Sequence, residues 1–308
     1  MFFFPFLLSL SSVYSVEAAP VEEKTRVAVS IRPLQLILQE IVDENFEIQL
    51  VASPGSSPHT FEPSARDRRR LADADLVLFV SPDLDPWMKR LSPSAIDVIQ
   101  GLSRSDRLMT RAHHHHHGHD HSHENEGSGH HHHGHSHQRV VDPHFWMNPQ
   151  TVKSLLPKIV EELCRVRAAS CDELKKRSSQ FEAKLDALHA DASERLRAFR
   201  NRSVMTAHDF LGYFCRSFRL RCEESVEAIP GKEPSPRDVI RLSRLARDRK
   251  LRFIYSEPQL SQQAVEAIAR EAGLQVKVLD PIGLSPEIQS YENLFQFNLN
   301  QIVLGFSE

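Results

Sequence analysis

The sequence predicts an α/β protein with two segments of alternating strands and helices, each built around a parallel sheet. Short apolar runs alternate with helical periodicity from residue 27 to 80 and again from 203 to 279, which is typical of βαβ units. Between them, residues 171 to 199 contain neither glycine nor proline and repeat apolar residues at three- and four-residue steps, which indicates one long helix. We place the first segment at 24–168, the connecting helix at 171–200 and the second segment at 202–308.

The elements of the first segment follow from apolar runs and helix signals. Strands are predicted at 27–31, 46–51 and 76–80, where the runs are short and apolar. Pro33 opens a helix with apolar residues at i, i+3, i+4 and i+7 spacing, a polar helix ends at Ala72, and helical periodicity returns from 152 to 166.

The second segment repeats this alternation. Strands are predicted at 203–206, 220–226, 251–255 and 274–279. Ser235 and Asp238 form a capping box around Pro236 at a helix start, and Gly273 ends a further helix.

Four residues with metal-binding side chains lie just beyond strands or in the loops that follow them: His59, His144, His208 and Asp280. The carboxyl ends of parallel strands form the edge at which such sheets bind ligands. A lone loop histidine is usually only solvated, but sequence rich in proline and aromatic residues follows His59 and His144 and would fix the backbone and limit water. We therefore expect ligands rather than surface residues.

A histidine-rich loop precedes His144. Fourteen of the 25 residues from 113 to 137 are histidine, and no apolar periodicity supports a packed element there. The run is internal and interrupted by small and acidic residues, unlike an expression tag. Imidazole suits Zn, Cu, Ni and Fe, so the loop predicts metal handling, as in metallochaperones, storage proteins, importers or efflux proteins. Its accessory metal residues are His113, His114, His115, His116, His117, His119, His121, His123, His130, His131, His132, His133, His135 and His137.

Composition and the N-terminus indicate a soluble exported protein. The 308 residues suffice for two domains, and the formal charge of −3 indicates no nucleic-acid partner. Residues 1–19 resemble a cleaved signal peptide, with an apolar run and small residues before a cut after Ala18 or Ala19. No cysteine follows that run, so we expect a soluble protein in an exported compartment, with neither a lipid anchor nor stable membrane insertion. We also expect a monomer.

Four cysteines, Cys164, Cys171, Cys215 and Cys222, form two pairs with equal spacing. An even count in an exported protein suggests disulfides, for which three connectivities are possible. We favour Cys164 with Cys171 and Cys215 with Cys222. Neither spacing is that of a zinc ribbon or a redox motif.

Six ordered motifs resemble the metal-receptor (solute-binding) proteins of bacterial ABC importers for zinc and manganese. They cover nearly the whole mature chain and read PHTFEPS (58–64), DPHFWMNP (142–149), HDFLGYF (208–214), EPSP (233–236), YSEPQ (255–259) and LDPIG (279–283). The histidine-rich loop before the second motif resembles the zinc branch of that family.

The resemblance implies two doubly wound (Rossmann-like) α/β lobes, a single long connecting helix and a metal site in the cleft between the lobes. It implies His59 and His144 as ligands from the first lobe, and His208 and Asp280 from the second. Because some zinc members carry an acidic residue where this chain has Pro58, the fourth ligand is either Asp280 or water. Glu257 and Asp209 are candidate hydrogen-bond partners that would orient the ligands.

Three imidazoles and one carboxylate suit tetrahedral Zn²⁺ better than Mn²⁺. We therefore predict a periplasmic Zn²⁺ receptor that delivers zinc to an inner-membrane ABC zinc permease and catalyses nothing. Two alternatives remain: an exported zinc hydrolase, which lacks an H-E-x-x-H helix here, and a zinc storage or buffering protein based on the loop.

Overall fold

The structure is a computed structural model that describes residues 23–53, 55–111, 139–227 and 230–308. The predicted signal peptide and the histidine-rich loop lie outside the described residues. The helices are α1 (Arg32–Ile41), α2 (Ala65–Ala72), α3 (Pro86–Leu91), α4 (Pro149–Val166), α5 (Cys171–Arg195), α6 (Gly212–Phe218), α7 (Pro236–Asp248), α8 (Gln263–Ala272) and α9 (Tyr291–Ser307). The strands are β1 (Thr25–Val29), β2 (Phe46–Leu50), β3 (Leu76–Phe79), β4 (Ile96–Asp97), β5 (Met109–Arg111), β6 (Arg139–Val141), β7 (Ser203–Val204), β8 (Arg221–Cys222), β9 (Phe253–Ser256) and β10 (Gln275–Val278).

The first half contains a four-stranded sheet in the order β2-β1-β3-β4. All three pairings are parallel, as the alternation of strands and helices predicts. Strand β3 is buried at every position, which explains why its sequence is a continuous apolar run. The loop after β2 begins at the carboxyl edge of this sheet and carries His59. The segment after β6, which pairs with β5 outside this sheet, carries His144.

The second half contains two parallel strand pairs, β7 with β8 and β9 with β10. A parallel bridge between Thr206 and Tyr255 joins the two pairs. Backbone hydrogen bonds extend this bridge, because Tyr255 N donates to Met205 O and Ala207 N donates to Tyr255 O. The resulting strand order places His208 and Glu257 just beyond two adjacent strands.

Helix α5 lies between the two halves in sequence. Its predicted apolar face is buried, including Phe181, Leu185 and Leu188, and it packs against α1, α4 and α9. The helix ends at Arg195 and is followed by a 3-10 turn at Arg197–Phe199, so it is slightly shorter than the predicted 171–200. Among the described residues, no helix combines the length and the apolar character needed to cross a membrane.

Direct contacts join the halves around the site. The Trp146 indole donates to the carbonyl of Pro281 at 2.8 Å, and the Tyr291 hydroxyl donates to the carbonyl of Trp146 at 2.9 Å. Arg32 reaches the carbonyl of Ile288 at 2.7 Å. One hydrophobic cluster therefore includes residues of both halves.

Both favoured disulfides are present. Cys164 bonds Cys171 across the junction of α4 and α5, and Cys215 bonds Cys222 between α6 and β8. The prediction of their connectivity is confirmed. Each closes a short loop with a sequence separation of seven residues, so each fixes a local junction rather than a long-range contact.

Candidate metal centre

His59 enters the site from the loop between β2 and α2. The preceding residue, Pro58, accepts a hydrogen bond through its carbonyl from the Trp87 indole at 3.2 Å. The ring of Phe61 packs on the edge of Trp87 with centroids 4.8 Å apart. These contacts fix the loop backbone on both sides of His59, whose residue exposure is 9%.

His144 enters the site three residues after β6 and is held by Asp142. The Asp142 oxygen Oδ1 accepts a hydrogen bond from the His144 backbone N–H at 2.9 Å. The same oxygen contacts Nδ1 of the His144 ring at 2.8 Å. The proline between the two residues restricts the backbone of this turn. An Nδ1–H donated to the carboxylate leaves the lone pair of Nε2 directed away from Asp142.

His208 follows the β7 region in the second half and is held in the same way by Glu257. The Glu257 carboxylate accepts the His208 backbone N–H at 3.0 Å and contacts Nδ1 at 2.8 Å through the same oxygen, Oε1. Glu257 is fully buried. Both histidines therefore have a carboxylate at Nδ1, which is the arrangement typical of histidines that bind a metal through Nε2.

The three histidines converge. Their ring centroids lie 5.5 Å (His59 to His144), 5.4 Å (His59 to His208) and 5.2 Å (His144 to His208) apart. One ligand atom from each lies within 4.8 Å of the others, and all three residues are buried. The cavity of about 10 Å³ that they line with Trp146 and Pro281 has room for one small ion or water.

The spacing of two nitrogens fits a bound cation. Nε2 of His144 and Nε2 of His208 are 3.3 Å apart. Tetrahedral zinc with Zn–N bonds of about 2.0–2.1 Å holds two ligand nitrogens about 3.3–3.4 Å apart. With both Nδ1 atoms donating to carboxylates, two neutral imidazoles present lone pairs to each other at this distance, which a cation between them would stabilise.

Electrostatics around His208 also favour a cation. Burial lowers the pKa of the His208 imidazole, but the charge of Glu257 and the hydrogen bond to it outweigh burial and, with the charges of Asp209 and Glu227, raise that pKa above its ordinary value. Burial in turn raises the pKa of the Glu227 carboxyl. The carboxylates around His208 therefore favour a positive charge at this buried position.

Asp280 lies apart from the group of three ligand atoms. Its Oδ1 accepts the N–H of Gly283 at 2.7 Å, and its Oδ2 accepts the N–H and the hydroxyl of Ser285 at 2.7 and 2.8 Å. Asp280 is fully buried and is not among the described residues whose ligand atoms lie within 4.8 Å of one another. In this structure its carboxylate organises the loop that presents Pro281 to the site.

Sequence reasoning named Glu257 and Asp209 as partners that orient ligands but missed Asp142. Glu257 contacts His208 directly, whereas Asp209 acts on it through its charge. Asp142 was visible two residues before His144, and that short spacing around a proline was the available signal. The histidine-rich loop, 113–137, lies outside the described residues.

Residues 27–305 match the family described as zinc-uptake complex component A, periplasmic (ZnuA). The chain belongs to this family. The match extends over both halves and contains every candidate site residue. Family membership is thus confirmed, and the parallel sheets described above confirm the predicted α/β class.

Similar proteins carry related names. The zinc-binding protein AdcA of Streptococcus pyogenes serotype M3 is 26% identical over 92% of this chain and 56% of its own length, so this chain spans little more than half of that relative. A putative metal-binding protein of Treponema pallidum is 24% identical over 93% of this chain and 88% of its own length. These relatives are named as binding proteins rather than enzymes.

Solved structures share the fold. A crystal structure of ZnuA superimposes with a TM-score of 0.75 at 24% identity, covering 92% of this chain and 99% of that chain. The periplasmic zinc-binding protein TroA from Treponema pallidum has a TM-score of 0.74 at 22% identity, with the same two coverages. At these identities the likeness establishes the fold, and the site rests on the geometry described above.

Proposed function

We propose that this protein is the zinc receptor of an ABC importer. It captures Zn²⁺ in the periplasm and delivers it to an inner-membrane permease without catalysing a reaction. The 3.3 Å separation of the His144 and His208 Nε2 atoms is the observation that carries the proposal, because it suits two ligands of one tetrahedral ion. Membership of a family described as periplasmic supports the location.

In this proposal His59, His144 and His208 are the three protein ligands. The engagement of both Asp280 oxygens with Gly283 and Ser285 supports water, rather than Asp280, in the fourth position. Asp142 and Glu257 hold the imidazoles in the tautomer that presents Nε2 to the ion.

The ligands come from both halves of the chain, so zinc occupancy is linked to how the halves contact each other. This linkage would let a permease distinguish a loaded receptor from an empty one. The monomeric state and the domain bounds stay predictions. The lack of a lipid anchor also stays a prediction, since a relative from Streptococcus pneumoniae is named a zinc-binding lipoprotein.

A zinc titration of His208→Ala tests the site, using a chain that lacks residues 113–137 and a competing chelator. We expect the zinc affinity to fall by more than about 100-fold, because losing a direct ligand costs more than the roughly 10- to 100-fold typical of losing a residue that hydrogen-bonds to a ligand. His189→Ala is the matched control, because His189 is a half-buried histidine on α5 that stacks against Phe218. Tight binding by His208→Ala would contradict the assignment.

Delivery is tested in a strain that cannot import zinc, grown under chelation. The unaltered chain and His189→Ala should restore growth, and His208→Ala should not. Zinc-dependent peptidase or esterase turnover would instead favour a hydrolase. Weak binding of several zinc ions per chain, without growth rescue, would favour a storage or buffering protein.

A further inference from the structure

The Asp142 carboxylate lies between the two halves of the chain. Its Oδ1 holds His144, as described above, while its Oδ2 faces Gly212, the first residue of α6 in the second half. A Cβ atom built on Gly212 would lie 2.5 Å from Asp142 Oδ2 and 2.6 Å from Cδ2 of Leu108. Both distances are far shorter than van der Waals contact, so any side chain at position 212 displaces one or both neighbours.

The backbones on both sides of this contact are fixed. Asp142 N donates to Leu108 O at 2.8 Å, and the adjoining strands β5 and β6 pair in antiparallel register. From α6, the Tyr213 hydroxyl accepts the N–H of Leu108 at 3.2 Å and Arg216 donates to the carbonyl of Asp106 at 2.6 Å. Helix α6 is therefore docked onto the segment that precedes β5, and it cannot withdraw without breaking these bonds.

Strain at position 212 would consequently fall on the two side chains. Leu108 is an aliphatic side chain that can change rotamer at modest cost. Asp142 cannot move its carboxylate without lengthening the 2.8 Å contact to Nδ1 of His144. Displacement of that carboxylate would release the orientation and tautomer of the imidazole.

We propose that Gly212 is a positioning residue for zinc binding: its missing side chain lets Asp142 hold His144, so a ligand of the first half depends on the docking of α6 from the second. The inference rests on the proposed function, because it takes His144 as a zinc ligand. It assigns the glycine of the HDFLGYF motif a role in metal affinity rather than in helix formation. Gly212 is not at a positive φ, so the backbone conformation does not explain why this position is glycine.

The test is a double-mutant cycle in the full mature chain. Zinc affinity is measured by competition with a chelator, which reports the tightest site. Gly212→Ala should weaken zinc binding by roughly 10- to 100-fold, the range for loss of an outer partner. In an Asp142→Ala background the same change should add less than about twofold, the limit for independent sites. Gly101→Ala is the matched control, because its Cβ would crowd Lys158 at 3.0 Å without touching a ligand, and it should leave affinity within about twofold.

Three results separate the possibilities. If His144→Ala binds zinc as tightly as the unaltered chain, the proposed function itself fails. If His144→Ala loses zinc but Gly212→Ala does not, the inference is wrong. Equal weakening by Gly212→Ala with and without Asp142 also overturns it, because the effect would then bypass the carboxylate.

A second variant covers the case in which Gly212→Ala does not fold. Adding Leu108→Ala removes the Leu108 contact and leaves the contact with Asp142. Compared with Leu108→Ala alone, the double variant should still lose zinc affinity by roughly tenfold or more. Recovery of affinity to the Leu108→Ala level would assign the effect to Leu108 packing and refute the role of Asp142.

Discussion

Replacing Glu257 by glutamine should weaken zinc binding in a way that depends on pH. The Glu257 carboxylate accepts hydrogen bonds from the backbone N–H of His208 at 3.0 Å and from Gln259 Nε2 at 2.7 Å, and it contacts His208 Nδ1 at 2.8 Å. A hydrogen bond to a charged group stabilises by about 1.5–3 kcal/mol against about 0.5–1.5 kcal/mol for a neutral one. The loss of about 1–2 kcal/mol corresponds to a roughly 5- to 30-fold increase in Kd.

The fold should tolerate this substitution. A glutamine with its oxygen in the place of Oε1 still accepts from His208. Its NH₂ takes the place of Oε2, which lies 2.7 Å from both His208 Nδ1 and Gln259 Nε2, so the variant loses one of the two acceptors that face Nδ1. Oε1 of Gln259 is buried and has no hydrogen-bond partner among the described residues, so a flip of the Gln259 amide lets it accept from the new NH₂. The variant therefore changes charge more than packing, and the apo protein should melt cooperatively.

The pH dependence follows from the pKa of His208. The charge of Glu257 raises the pKa of His208 against the opposing effect of burial, so removing that charge lowers this pKa relative to the unaltered chain. Zinc requires a deprotonated Nε2, so affinity falls as pH drops below the pKa of His208 in each protein. The unaltered chain begins to lose affinity at a higher pH than the variant. The Kd of Glu257→Gln divided by the Kd of the unaltered chain should therefore be largest in mildly alkaline solution and should decrease as the pH falls.

Chelator competition over a series of pH values measures this ratio. Glu162→Gln is the control, because Glu162 is a buried carboxylate on α4 that pairs with Lys158 and Arg165 away from the histidines. It should leave zinc affinity unchanged at every pH. An unchanged Kd for Glu257→Gln, or a ratio that stays constant with pH, would refute the reasoning.

Three other predictions concern stability and capacity. Burial raises the pKa of Asp85 from 3.8 to about 6, so its contribution to stability is present below pH 3.8 and lost as pH rises through about 6. Between about pH 4 and pH 7 the unfolding free energy of the apo chain should fall by about 2 kcal/mol relative to Asp85→Ala, and a constant difference in denaturant titrations would contradict this. Replacing Cys164 and Cys171 by serine should cost about 2.5 kcal/mol of stability through loop entropy and leave zinc Kd unchanged, since the bond lies at the junction of α4 and α5; a large rise in Kd would show that the junction supports the site. Deleting 113–137 should reduce the number of zinc ions bound per chain, counted by equilibrium dialysis, more than the affinity of the tightest site, and equal loss of both would make the loop the primary site.

The sequence by itself determined the local features of this protein. Apolar runs located β1, β3 and β9 because central strands of parallel sheets are buried on both faces, and the Ser235 cap located the start of α7, whose backbone Asp238 N–H it accepts. Motif resemblance located His59, His144 and His208. These features depend on neighbours within a few residues or on patterns of known spacing, so they can be read without coordinates.

Only the tertiary structure decided how the distant residues meet. The motifs offered Glu257 as a partner, but no local pattern indicates that the histidine it supports is His208, 49 residues away. Nor does any local pattern indicate that Asp280 turns its oxygens towards its own loop or that Gly212 abuts Asp142. Such contacts follow from the docking of α6 and of the loop after β10 onto the first half. Long-range packing sets the distances between side chains to a few tenths of an ångström, and a ligand site depends on those distances.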